Sequence, residues 1–189
     1  NINDAPTGAV SVSGSATQNQ TLTASNTLAD IDGLGTIGYQ WQSSADGTTW
    51  AAISGATATA FTLTEREVGK QVRAVASYTD GHGAVESKAS AATAAIANVN
   101  DAPMGSVSVS GVATQNQTLT ATNTLADADG LGSIGYQWQS STDGTSWAAI
   151  SGATASNFTL TEAQVGKQVR AVASYTDGHG TAESVASLV

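Results

Sequence analysis

The chain has 189 residues, with 15 Asp and Glu against 6 Lys and Arg, a formal net charge of −9, and no cysteine. That balance excludes a nucleic-acid binder, because neutralising phosphates needs clustered Lys and Arg, and it argues against docking on an anionic membrane surface. Without thiols there are no disulfides or thiolate metal sites, so the core or an oxygen-bound cation must hold the fold, and no apolar run approaches the roughly 20 residues of a membrane helix.

The elements read in chain order as short strands rich in Val, Thr and Ser, with period-two alternation between Gly and Asp turns. The opening motif, Asn1-Ile2-Asn3-Asp4-Ala5-Pro6, carries no leader-like sequence and reads as part of a longer protein. A first strand is expected over residues 9–13, with Val10 and Val12 on one face. The second covers 21–28 and turns Leu22, Ala24 and Leu28 inward. The third covers 37–42, with Ile37, Tyr39 and Trp41 on one face. Ala45-Asp46-Gly47 is a hairpin turn into a strand over 49–53, and 60–63 buries Phe61 and Leu63. Thr64 and Glu67 have capping-box spacing for one helical turn that Gly69 ends. The Glu residues there suit either that cap or a metal. The next strand, 71–79, presents Val72, Ala74, Ala76 and Tyr78 to one side, and the last runs from Val85 to about Ile96.

At Asn98 the opening motif returns as Asn98-Val99-Asn100-Asp101-Ala102-Pro103, a period of 98 − 1 = 97 residues. Later landmarks keep that offset without a gap: Trp41 and Trp138, Trp50 and Trp147, Tyr78 and Tyr175, His82 and His179. A repeat near 100 residues is too long for a solenoid unit and suits a complete β-sandwich. The expected organisation is therefore all-β, with one sandwich over residues 1–97 and a second over 98–189, the latter opening on a linker at 98–103. The second copy stops short of the run that leads from the first copy into its successor, so a further copy is expected in the parent protein. Seven short strands with a Trp on the third match the immunoglobulin-like Greek-key pattern. The inter-sheet disulfide of that pattern is replaced here by small residues, Ala24 facing Ala74 or Ala76 beneath Trp41. Trp41 and Tyr39 read as core, whereas Trp50 and Trp147 fit either a packed edge or a sugar-stacking platform.

Three acidic motifs recur in both copies: the linker, Asp127-Ala128-Asp129-Gly130 after the second strand, and Asp177-Gly178-His179-Gly180 before the last. In a Greek-key sandwich all three lie at the end where the linker enters. Such carboxylates repel one another unless a cation joins them. Calcium takes six to eight oxygens in flexible geometry, magnesium prefers more water, and zinc would want His or Cys. The candidate calcium ligands are Asn98, Asn100, Asp101, Asp127, Asp129 and Asp177, with Asn1, Asn3, Asp4, Asp30, Asp32 and Asp80 in the first copy. His82 and His179 read as exposed turn residues. The alternative is a set of solvated acidic turns.

The linker resembles the Asx-x-Asn-Asp-x-Pro linker of cadherin repeats. With Leu125-Ala126-Asp127-Ala128-Asp129-Gly130, Tyr136-Gln137-Trp138-Gln139 and Tyr175-Thr176-Asp177-Gly178, the whole repeat resembles the immunoglobulin- or cadherin-like repeats of large RTX-type adhesins and biofilm proteins of Gram-negative bacteria. It differs from cadherins in opening the linker with Asn and in lacking their Asp-Arg-Glu motif. The resemblance implies secreted, cell-surface extender modules, monomeric and not inserted in the membrane. Their partners would be neighbouring repeats of the same chain, joined through calcium-stiffened junctions, and they would project a distant adhesive domain. A carbohydrate- or protein-binding module using Trp50 and Trp147 is the alternative. An enzyme is not expected: Gly-x-Ser-x-Gly and His-Glu-x-x-His are absent.

Overall fold

The structure, a computed structural model, describes residues 3–188 and divides into two compact units, residues 1–99 and 100–189. Each is all-β, built from four-stranded and three-stranded antiparallel sheets. Among the described residues, no helix is long and apolar enough to cross a membrane.

In the first unit, β1 (Val10–Ser13), β2 (Thr21–Asn26) and β5 (Ala60–Thr62) form a sheet ordered β1-β2-β5. The strands β3 (Gly38–Ser44), β4 (Ala51–Ala52), β6 (Gln71–Thr79) and β7 (Val85–Ala89) form the other, ordered β4-β3-β6-β7. The inward-facing residues follow from period-two alternation. Along β6 every second residue is buried, Val72, Ala74, Ala76 and Tyr78. They join Val10, Leu22 and Ala24 from the opposite sheet in one core. Trp41 lies opposite Ala74 in the β3–β6 register and is fully buried. The small side chains of Ala24, Ala74 and Ala76 leave room for the indole, which stacks on Phe61 of the facing sheet at 5.6 Å between ring centroids. Its Nε1–H donates to the Ala58 carbonyl at 2.9 Å, so the buried polar atom is satisfied.

The second unit repeats the design with β8 (Val107–Ser110), β9 (Thr118–Asn123) and β12 (Asn157–Thr159) ordered β12-β9-β8. Its larger sheet is ordered β11-β10-β13-β14, from β10 (Gly135–Ser141), β11 (Ala148–Ala149), β13 (Gln168–Thr176) and β14 (Ala182–Ala186). The Thr64–Glu67 capping box forms as expected, and the second unit repeats it. Thr64 and Glu67 bracket a single 3-10 turn, Glu65–Glu67, and Thr161 and Gln164 bracket Glu162–Gln164. At the hairpin turn, Asp46 Oδ1 accepts the N–H groups of Thr48 and Thr49 and the Ser44 hydroxyl, and Gly47 takes a φ of 71°.

The strand bounds depart from the sequence reading most in the fourth and last strands; β2 also stops at Asn26 short of residue 28, and β3 runs on to Ser44 past residue 42. The fourth strand shrinks from residues 49–53 to Ala51–Ala52, because the Thr48 and Thr49 N–H groups are claimed by the Asp46 turn. The last strand ends at Ala89 instead of running to Ile96. Beyond it hydroxyls replace carbonyls as partners of β6: Ala74 N–H donates to Ser90 Oγ and Val72 N–H to Thr93 Oγ1. The regular ladder stops, although the chain still follows the core edge as far as the buried Ile96.

Candidate metal centre

In each unit the hydrogen bonds interlock three segments: the chain entering the unit, the loop after the second strand, and the loop between the last two. In the second unit Asp101 N–H donates to Asp129 Oδ2 at 2.6 Å, which ties the entering chain to the first loop. Gly178 N–H donates to the Asp129 carbonyl at 2.9 Å, which ties the two loops together. Asn100 Nδ2 donates to Glu183 Oε1 at 2.7 Å. The first unit repeats the set: Asp4 N–H to Asp32 Oδ2, Gly81 N–H to the Asp32 carbonyl, and Asn3 Nδ2 to Glu86 Oε1. The loops approach so closely that only glycine fits between them. A Cβ on Gly178 would lie 2.5 Å from the Asp129 carbonyl oxygen, and one on Gly132 would lie 2.0 Å from that of Thr176.

The aspartates of each unit divide into two kinds. Asp127 is consumed by the loop itself: Oδ1 accepts the Asp129 N–H, and Oδ2 accepts the Tyr175 hydroxyl. Asp30 does the same with Asp32 and Tyr78. Burial, then the hydrogen bond to the aspartate, pushes both tyrosine hydroxyls well above the ordinary phenol range. The Tyr donors therefore stay protonated and hold the loops shut.

The second kind keeps an oxygen in reserve. Asp129 is 4% exposed and Asp177 7%, yet Asp129 Oδ1 and Asp177 Oδ2 are buried with no hydrogen-bond partner. Asp80 Oδ2 in the first unit is in the same state. A buried carboxylate oxygen without a partner is costly, and native proteins rarely tolerate one unless an ion or water completes it. The other oxygen of Asp177 accepts the His179 and Thr181 N–H groups. Burial pushes the Asp177 carboxyl up, but its backbone hydrogen bonds outweigh that and hold it below the usual carboxylate range. It is therefore charged at neutral pH. Basic side chains also approach these loops in the first unit. His82 Nδ1 lies 3.2 Å from Asp32 Oδ1, and Lys88 Nζ lies 3.4 Å from the Pro6 carbonyl. The position matching Lys88 in the second unit is Val185. The Asp and Asn side chains offer hard oxygen donors, which suit calcium better than zinc.

Of the sequence-derived candidates, Asp101, Asp127, Asp129 and Asp177 are tied together through their loops in the second unit, and Asp4, Asp30, Asp32 and Asp80 in the first, while Asn100 and Asn3 bond to Glu183 and Glu86. Asn98 belongs to the first unit, beside Val99, whose N–H donates to Gln18 Oε1. Asn1 lies outside the described residues. Sequence reasoning missed Glu86, Glu183 and the two tyrosine hydroxyls. The signal was available: each Glu sits directly opposite the Tyr in the last strand pair, where an acid on the inward-facing side needs a reason.

Trp50 and Trp147 are half-buried, and the Arg73 and Arg170 guanidinium carbons lie 4.2 Å over their ring centroids. Each Arg Nε also donates to a strand Gln, Gln42 or Gln139, at 2.8 Å. One indole face is thus taken by the protein's own cation, which leaves a poor sugar-stacking platform.

A domain-family profile described as "Domain of unknown function (DUF8696)" matches residues 12–99 and again 108–189. The chain belongs to that family. Its two matches fall one in each unit. No curated protein matches the chain. Among solved structures, it is similar to a crystal structure of a tetra-tandem repeat in the extending region of a large adhesion protein. The two share 16% identity with a TM-score of 0.34, over 97% of this chain and 49% of that one. The chain thus spans about half the length of that structure.

Proposed function

We propose that the chain is a pair of calcium-stabilised extender repeats from a large secreted bacterial surface adhesin. The observation that carries this reading is the set of buried, unpartnered carboxylate oxygens in the interlocked loops: Asp80 Oδ2, Asp129 Oδ1 and Asp177 Oδ2. In the second unit Asp129 and Asp177 would hold the ion, with Asp101 and Asn100 supplying oxygens from the entering chain. In the first unit Asp80 and Asp32 would do so, with Asp4 and Asn3. The ion supplies charge neutralisation and cross-linking. Because entering chain and loops would share one centre, calcium would set how firmly each unit grips its linker. Two near-identical units suit a spacer better than a catalyst, and the role needs no chemistry. The strand orders β1-β2-β5 and β4-β3-β6-β7 support an immunoglobulin-like Greek-key sandwich. A sandwich without disulfides gains most from such a metal outside the cell, where calcium is plentiful.

The test is a thermal melt and calorimetric titration of the chain with calcium, magnesium and chelator. Extracellular calcium modules bind at roughly 10⁻⁴ to 10⁻³ M. At a hundredfold excess over the dissociation constant, binding should add about 2.7 kcal/mol of stability. Asp129→Asn and Asp177→Asn should each weaken binding at least about tenfold, the loss of one charged ligand. Melts that do not distinguish calcium from chelator would remove the metal reading and leave acidic turns.

A further inference from the structure

The two units carry the same acids at the end where the loops interlock: Asp4, Asp30, Asp32, Asp80 and Glu86 each recur 97 positions on in the second unit. The strand that closes this end differs in one charge. β7 reads Val-Glu-Ser-Lys-Ala and β14 reads Ala-Glu-Ser-Val-Ala, so Lys88 stands where the second unit has Val185.

The register fixes where that charge goes. Successive residues of a strand point to opposite faces, so Glu86 and Lys88 share one face. It is the inward one, because Glu86 lies opposite the buried Tyr78 and Lys88 opposite the buried Ala76. A lysine in such a place lays its stem along the apolar surface and carries its ammonium out to a polar partner. Here that partner is the Pro6 carbonyl, 3.4 Å from Nζ. Pro6 is two residues from Asp4, whose N–H donates to Asp32 Oδ2, and Glu86, two residues from Lys88, accepts from Asn3 Nδ2. The ammonium is thus held against the entering chain, beside the residues that would supply oxygens to an ion. Val185 instead packs on the core of the second unit and brings no charge. The buried, unpartnered oxygens of Asp129 and Asp177 therefore lack this counter-charge.

We propose that the residue at this strand position sets the calcium affinity of each unit. Lys88 is an internal counter-cation that weakens binding in the first unit, and Val185 leaves the second at full strength. The inference rests on the calcium reading above. A fixed ammonium repels an arriving dication and already offsets part of the negative charge that attracts it. One unit charge repels a divalent ion about 10 Å away through water by an amount worth about fourfold in affinity before screening. Salt reduces that to about threefold at 0.01 M and to under about twofold at 0.15 M.

Calcium titrations of the whole chain at 0.01 M salt, followed by the amide signals of Gly81 and Gly178, read the two sites separately. Those amides donate to the Asp32 and Asp129 carbonyls. Lys88→Met keeps the stem and removes the charge; it should tighten the first site about threefold and leave the second unchanged. Lys88→Arg keeps the charge and should keep the wild-type affinity. Val185→Lys should weaken the second site by the same factor, and both shifts should shrink at 0.15 M salt. If calcium binds both units while Lys88→Met and Val185→Lys leave both affinities unchanged, the proposal is overturned and the calcium reading stands. Shifts that persist undiminished at 0.15 M salt overturn it as well, because packing and not charge would be their cause. Signals that do not respond to calcium at all remove the calcium reading, and this inference with it.

Discussion

Replacing Trp138 with Ala tests the core logic of the fold most directly. The side chain is fully buried, lies opposite Ala171 in the β10–β13 register, and contacts Phe158 at 5.5 Å between centroids. Its Nε1–H donates to the Ala155 carbonyl at 2.9 Å. Truncation removes the largest apolar surface of the unit. The neighbours Ala121, Ala171 and Ala173 have no side chains long enough to collapse into the space. Large aromatic truncations cost about 3–5 kcal/mol, and this site belongs at the upper end. For a domain of this size each kcal/mol moves the melting temperature by about 4–8 °C, so a drop of at least about 12 °C is expected. Trp138→Phe separates the contributions. It keeps most of the packing but strands the Ala155 acceptor, at about 1–3 kcal/mol. Differential scanning calorimetry of the whole chain carries an internal reference, because Trp41 is untouched and the first unit should melt where it did. A Trp138→Ala chain that melts like wild type would show that the indole is not the keystone of the sandwich.

Gly178→Ala should push apart the loops carrying Asp129 and Asp177, since the new Cβ would meet the Asp129 carbonyl at 2.5 Å. It should cost at least the Gly178–Asp129 hydrogen bond, about 1 kcal/mol, and weaken calcium binding in titration. Gly135→Ala, whose Cβ would meet only the Ser174 carbonyl at 3.9 Å, should do neither and serves as the control. Acid should destabilise the chain through Asp46, Asp143 and Asp177, each held below the usual carboxylate range in the fold. For Asp46 the strongest cause is the Thr49 N–H, and for Asp143 the Ser146 N–H; for Asp177 the Thr181 N–H leads the bonds that overcome burial. Their contribution is complete above the unfolded value of about 3.9 and fades as pH falls through the folded values. Urea melts between pH 6 and pH 2 should therefore lose stability below about pH 4, and Asp143→Asn should flatten that loss.

The sequence by itself determined the repeat, the strand faces and the position of the core. Those are properties of local period: alternation assigned Val72, Ala74, Ala76 and Tyr78 to one side, and the 97-residue offset duplicated every such assignment. It also named the acidic loops, because Asp and Gly at turn positions are visible without coordinates. Only the tertiary structure could separate the aspartates that close the loops from those left with an oxygen to spare. That distinction depends on which N–H and O–H groups from other strands arrive. The Tyr175 hydroxyl reaches Asp127 from 48 residues away, and the Asp101 N–H reaches Asp129 from 28. The early end of the last strand was equally hidden, since it turns on the hydroxyls of Ser90 and Thr93 taking bonds that alternation assigns to carbonyls.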